Sequence, residues 1–229
     1  MSGLIAERIL QLDNNIIVFR EEGGDRETLN DVVNSKYHLP LYGVMPPGEI
    51  ILDLGTHIGL TALDFSLKYP GKVIIGAEID KENWVLSKMN TAIHKNISIS
   101  NFAITGRALE YGQTSVTYNK NIHGNNAHRI DCNGDCLVEA QNIDTLLHFN
   151  YGKIRQSFKE EISYIKMDIE GEELFVLQDG GDWVEKTKSI GVEVHEDYVS
   201  INDVANALDS LGFIVEQHDT HPSSLYGLR

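Results

Sequence analysis

Residues 49–59 read Glu-Ile-Ile-Leu-Asp-Leu-Gly-Thr-His-Ile-Gly, and the fold turns on them. The run 49–54 is apolar except at Glu49 and Asp53, as a buried strand requires. Gly55 and Gly59 follow at once, and the spacing of apolar residues over 60–69 is helical. A strand that breaks into a glycine turn and then a helix is the opening unit of a parallel α/β sheet.

The same alternation continues outward. Strands are expected at 72–77, 97–103, 162–169 and 189–194, with helices at 81–94, 172–178 and 200–211. Strands at 213–217 and 223–228 are joined by a short His/Asp/Pro turn, which allows a hairpin and one antiparallel strand in an otherwise parallel sheet. Before residue 49 lies an N-terminal extension (1–48). It reads as a short amphipathic helix over 4–12, a strand over 16–19, a helix over 27–37 and a turn at 45–48. One segment, 110–147, breaks the rhythm. It reads as an inserted hairpin on the sheet, with strands at 115–118 and 136–140 around a polar loop at 119–135. Without repeats or a Pro/Ser-rich linker, 229 residues form a single domain.

The glycine spacing narrows the ligand. Dinucleotide loops carry a third, middle glycine so that backbone can approach a pyrophosphate. Thr56 and His57 occupy that stretch here, which suits a nucleoside without phosphate, such as S-adenosylmethionine. Glu78 follows Gly59 by 19 positions and ends the next strand, close to where an acid takes ribose hydroxyls. Its alternative role is to cap the following helix, for which Asp80 is better suited. Asp53, Gly55, Thr56, His57, Gly59, Glu78 and Ile79 are therefore the candidate cofactor residues. Phe102 and Ala103 are added as flanks of the adenine, although an aromatic at Phe102 also fits a core. His57 alone fits a helix start equally well.

These residues resemble the first motif of the FkbM-type S-adenosylmethionine-dependent methyltransferases. The segment Tyr164-Ile165-Lys166-Met167-Asp168-Ile169-Glu170-Gly171-Glu172-Glu173 carries the more specific part of the resemblance. Residues 138–147 and Glu193-Val194-His195 complete it over roughly 45–229, and Arg20 and Tyr37 are compatible with it. The family's usual Ala-Asn after the first glycine is Thr56-His57 here, and its usual Pro after the ribose acid is Ile79. The resemblance implies a Rossmann-like seven-stranded sheet and O-methyl transfer, often to sugars or other natural products.

Lys166, Asp168 and Glu170 recur at every second position, so an extended strand puts them on one face. Ligands sit beyond the carboxyl ends of parallel strands. Asp168 lies at one such end, Glu193 and His195 at the next. Asp168, Glu193 and His195 are thus the candidate catalytic residues, His195 as proton acceptor from a hydroxyl and Asp168 beside the sulfonium. A divalent metal on Asp168, Glu193 and Asp144 is the rival arrangement. A purely structural ion-pair network is the bland one. His123, Asn125, Asn126, His128 and Arg129 make the 119–135 loop a candidate acceptor face, or ordinary solvated surface.

Composition sets the outer limits. Net charge is −15, with 34 acids against 19 bases, which argues against non-specific nucleic-acid binding. No stretch reaches the roughly 18 apolar residues of a membrane span. The first residues lack a signal-peptide pattern, so a cytoplasmic protein acting on a small-molecule acceptor, as monomer or homodimer, is expected. Cys132 and Cys136 read as reduced thiols rather than half of a zinc site. A nicotinamide-dependent oxidoreductase, an N-methyltransferase and a non-catalytic binding module are the competing functions.

Overall fold

The computed structural model describes residues 7–12, 15–21, 23–107, 114–120, 127–154 and 161–229, with side chains described for these except 7–12 and 151–154. The extension opens with an antiparallel pair, β1 (Glu7–Leu12) and β2 (Asn15–Arg20). The apolar spacing of 4–12 fits a helical period, yet the described part, Glu7–Leu12, is a strand. Pairing with the adjacent strand outweighs the propensity of so short a run. Helix α1 (Asp25–Asn30) runs into a wider π turn at Asp31–Ser35, and a 3-10 turn follows at Leu41–Gly43.

The main body then alternates: β3 (Ile50–Leu54), α2 (Leu60–Lys68), β4 (Val73–Ala77), α3 (Lys81–Asn90) and β5 (Ile97–Ser100). Next come the short strands β6 (Ala103–Ile104), β7 (Ser115–Asn119), β8 (Arg129–Ile130) and β9 (Cys136–Gln141), then α4 (Ile143–Ile154). The chain finishes with β10 (Ile162–Met167), α5 (Glu173–Asp179), α6 (Asp182–Lys186), β11 (Ser189–Glu193), α7 (Ile201–Ser210), β12 (Ile214–Gln217) and β13 (Ser224–Leu228).

Seven strands form the main sheet in the order β12-β13-β11-β10-β3-β4-β5. Only β13 runs antiparallel, inserted between β11 and β12, as the hairpin spacing implied. Two expectations are corrected. The third strand does not run to Ala103: β5 ends at Ser100, and Ala103 and Ile104 turn away to pair with β9. The inserted hairpin is not on the main sheet either. It joins β6 and β8 in a separate four-stranded sheet, β6-β9-β7-β8.

Every position of β3 is buried, because helices cover both faces. On one face Leu52, Leu54, Ile165 and Met167 pack against Trp183, Leu177, Val204 and Leu208. On the other, Ile51 and Tyr164 pack with Phe65 of α2. One step further along that second face the alternation delivers Asp53 and Lys166, which lie side by side in register. The hydrophobic face thus becomes a charged one as the strands run out. No helix among the described residues is long and apolar enough to cross a membrane.

Candidate active site

The loop after β3 is built by close backbone approach. Gly55 has φ +80°, and a Cβ on it would lie 1.8 Å from the Asp168 carbonyl oxygen. Thr56 is let in by Gly76, where a Cβ would meet the Thr56 methyl at 2.4 Å. His57 is left-handed at φ 49°. Its amide donates to Glu78 Oε2 at 2.8 Å, and the Asp80 amide donates to Glu78 Oε1 at 2.9 Å. Glu78 is therefore fixed at the strand end by backbone donors, with a second lone pair left on each oxygen. Asp80 takes the cap of α3, accepting from the Glu82 and Asn83 amides. The cap thus falls to Asp80, which frees Glu78 of that alternative role.

The N-terminal extension is bolted onto this loop. Asp25, fully buried, accepts from the Arg20 amide, Nε and Nη2, and lies 3.0 Å from His57 Nε2. Burial opposes its charge, but His57 and Arg20 outweigh that and hold the carboxyl well below the usual range. Asn90 of α3 clamps the backbone of Val18 in both directions and also donates to the Ile58 carbonyl.

Charge builds the other end. Lys166 Nζ donates to the Gly55 carbonyl at 2.8 Å and pairs with Asp168 at 3.0 Å and Asp53 at 3.7 Å. Burial alone would discharge the amine, but Asp168 and Asp53 reverse that and raise its pKa. Burial likewise opposes ionisation of Asp168, and Lys166 with His195 overcomes it. Glu170 leaves the strand alternation through a left-handed φ of 55°, so a turn, not a pleat, brings it in. His195 Nδ1 sits 2.8 Å from the fully buried Glu173, and Nε2 lies 3.2 Å from Glu170 and 3.6 Å from Asp168. Burial lowers the His195 pKa, but hydrogen bonds to Glu170 and Glu173 and the Asp168 charge push it up to about 11. Those carboxylates favour its imidazolium form. Glu193 is the reverse case. Burial and repulsion from Asp168 push it up to about 8.

The loop and the charged cluster line one pocket of about 1060 Å³, a volume that includes open solvent. Thr56, His57, Glu78 and Ile79 wall the loop end, with Phe102 and Ala103 beyond them. Asp168, Glu193 and His195 wall the other end. Asp53 and Gly59 lie behind the lining: Asp53 accepts from Thr61 Oγ1 at 2.5 Å, and Gly59 packs on Ser87. Asp144 is not at the site, because it accepts the Asp182 amide at the start of α6. Asp168, Glu170 and His195 instead bring ligand-type atoms within 4.8 Å of one another. His123, Asn125 and Asn126 lie outside the described residues. His128 lines the pocket, while Arg129 stacks on Tyr198 at 4.1 Å.

Sequence reasoning passed over Thr28, Asp31, Tyr37 and His38, which close the pocket from the extension. Tyr37 stacks on His221, ring centroids 4.3 Å apart, beside Glu193. Spacing gave no sign of them, since the fold alone brings the extension over the strand ends. The compatibility of Arg20 and Tyr37 with the family pattern was the available hint.

The residues fit an S-adenosyl cofactor. Thr56 Oγ1 and His57 Nδ1 are buried without a hydrogen-bond partner on the pocket wall, beside the acid suited to ribose hydroxyls. Fold and site together define a Rossmann-like S-adenosylmethionine-dependent methyltransferase. The methyltransferase FkbM domain matches residues 53–215, and the chain belongs to that family. Among solved structures, a methyltransferase from Pyrococcus furiosus shares the fold at a TM-score of 0.50 and 11% identity, over 95% of this chain and 90% of that one. A precorrin-6y C5,15-methyltransferase from Geobacter metallireducens GS-15 aligns at a TM-score of 0.46 and 11% identity, covering 95% of this chain and 92% of that one. M. jannaschii TYW2 in complex with AdoMet aligns at 0.47 and 11% identity, over 100% of this chain and 86% of that one. No curated protein matches the sequence.

Proposed function

We propose that this protein transfers a methyl group from S-adenosylmethionine to a hydroxyl of a small molecule such as a sugar. The observation that carries the reading is Glu193. Its carboxyl faces the same pocket as the cofactor loop and is pushed up to about 8, so it exchanges a proton near neutral pH. When bound, the cofactor supplies a methyl on a sulfonium. Thr56, His57 and Glu78 hold its nucleoside part, and Asp168 sets a negative charge beside the reacting end. In that chemistry Glu193 would take the hydroxyl proton and the acceptor oxygen would receive the methyl group, the sulfonium leaving as a neutral thioether. His195, fixed by Glu170 and Glu173, holds those carboxylates in place and orients the acceptor.

Transfer of labelled methyl to a metabolite extract, with identification of the product, tests this. An ether product supports the reading, whereas label on nitrogen, or NADH binding without S-adenosylhomocysteine binding, overturns it. The close approach of Asp168, Glu170 and His195 makes a chelator arm worth adding. Loss of transfer in EDTA, restored by magnesium, would assign those groups to a divalent ion.

A further inference from the structure

One buried base has no part in the reading above. His38 lies on the charged face of the sheet, 4% exposed, against Phe65 of α2, and it lines the pocket beside Thr61 and Lys166. Its Nε2 lies 2.9 Å from Asp64 Oδ2. Burial opposes ionisation of Asp64, but hydrogen bonds from His38 and Lys68 prevail and hold its carboxyl below the usual range. An ionised carboxylate only accepts, so in the neutral imidazole the proton sits on Nε2 and Nδ1 presents a lone pair. That Nδ1 is buried and without a hydrogen-bond partner. An unpaired buried acceptor costs free energy unless a ligand meets it.

The pocket has a direction. Phe102 and Ala103 mark the end suited to a base, Glu78 the ribose position, and Gly55 the turn over β3. A nucleoside laid along that line carries its amino-acid tail over β3 and β10, where Thr61, Lys166 and His38 stand. The Lys166 ammonium is paired with Asp168 and Asp53, and beside it the His38 Nδ1 is an unpartnered acceptor on this stretch of the wall. We propose that His38, held by Asp64, accepts a hydrogen bond from the α-ammonium group of the bound cofactor through Nδ1.

This rests on the cofactor reading, and calorimetry with three ligands separates the two. S-adenosylhomocysteine carries the ammonium and a carboxylate, its decarboxylated analogue carries only the amine, and methylthioadenosine carries neither. His38→Ala is expected to weaken S-adenosylhomocysteine and the decarboxylated analogue alike, by about ten- to a hundred-fold, and to leave methylthioadenosine unchanged. Asp64→Asn, at a partly exposed position less exposed to folding failure, is expected to show the same pattern with a smaller loss. Nitrogen-15 spectra of the free protein should report the Nε2–H tautomer at His38. Unchanged S-adenosylhomocysteine affinity in both variants overturns the proposal. So does a loss confined to S-adenosylhomocysteine, which would give His38 to the carboxylate, or an equal loss for methylthioadenosine. Absence of all three affinities in the unaltered protein would instead overturn the cofactor reading itself.

Discussion

Glu78 and Glu193 are both carboxylates at strand ends in the same pocket, and both are pushed upward by burial. They differ in what surrounds them. Glu78 receives two backbone amides, and Asn83 adds a longer contact at 3.4 Å. Glu193 has His221 Nε2 at 3.8 Å and faces the charge of Asp168. A carboxylate fixed by rigid backbone donors is a holding group. One kept short of donors beside another acid is a group that trades its proton. On the proposed reading, the pocket therefore has a backbone-built end for binding and a charge-built end for reaction.

The sharpest way to break this division is to damage the joint between the two ends. Gly55→Ala sets a Cβ against the Asp168 carbonyl at a positive φ. Stability should fall by about 3 kcal/mol or more, read by denaturant unfolding, and S-adenosylhomocysteine binding should be lost with it. Glu193→Gln should lower kcat by about a hundred-fold while leaving S-adenosylhomocysteine affinity intact. The limb of the pH–rate profile near 8 should disappear in that variant. Retained turnover would move the base elsewhere. Glu78→Gln should do the opposite, weakening S-adenosylhomocysteine about ten-fold with little effect on the pH profile.

A further expected effect is on stability against pH. Glu193 rises from 4.5 to about 8 on folding and His195 from 6.5 to about 11. For both, the folded state binds the proton more tightly. Their contributions are whole below the unfolded values and are lost as pH climbs through the folded ones. Asp25 and Asp168, shifted down from 3.8, have given all they contribute well before neutrality. The Tm should therefore decline between pH 6.5 and 8, where both losses overlap, and Glu193→Gln should make that decline shallower. A Tm rising over this window would contradict the charge-built end.

The binding end was legible because its parts are local. Gly55, Gly59 and Glu78 announce themselves by spacing, and alternation along 164–168 points Lys166 and Asp168 the same way. The reacting end was legible only in part. The residues were named, but the protonation of His195 depends on Glu173, whose helix brings it back against the strand end. His38 and Asp64 lie 26 residues apart in no motif, and only the fold joins them. Helix α4 escaped notice because Gly152 and Asn150 interrupt its apolar period, although Asn142 accepts the Thr145 amide as an ordinary cap. Within 4–12 the described part, β1, departs from the expected helix because so short a run does not distinguish a period of 3.6 from one of 2 when the partner strand decides.

Strand β13 has a consequence for the growing chain. It fills the gap between β11 and β12, yet it is synthesised after both of them. Until residues 224–228 have emerged, β11 presents an open edge, and β12 has no neighbour to bond in the finished order. An unpaired edge is a template for other chains. The nascent protein thus carries this open edge until residues 224–228 are made, after all of the described pocket residues.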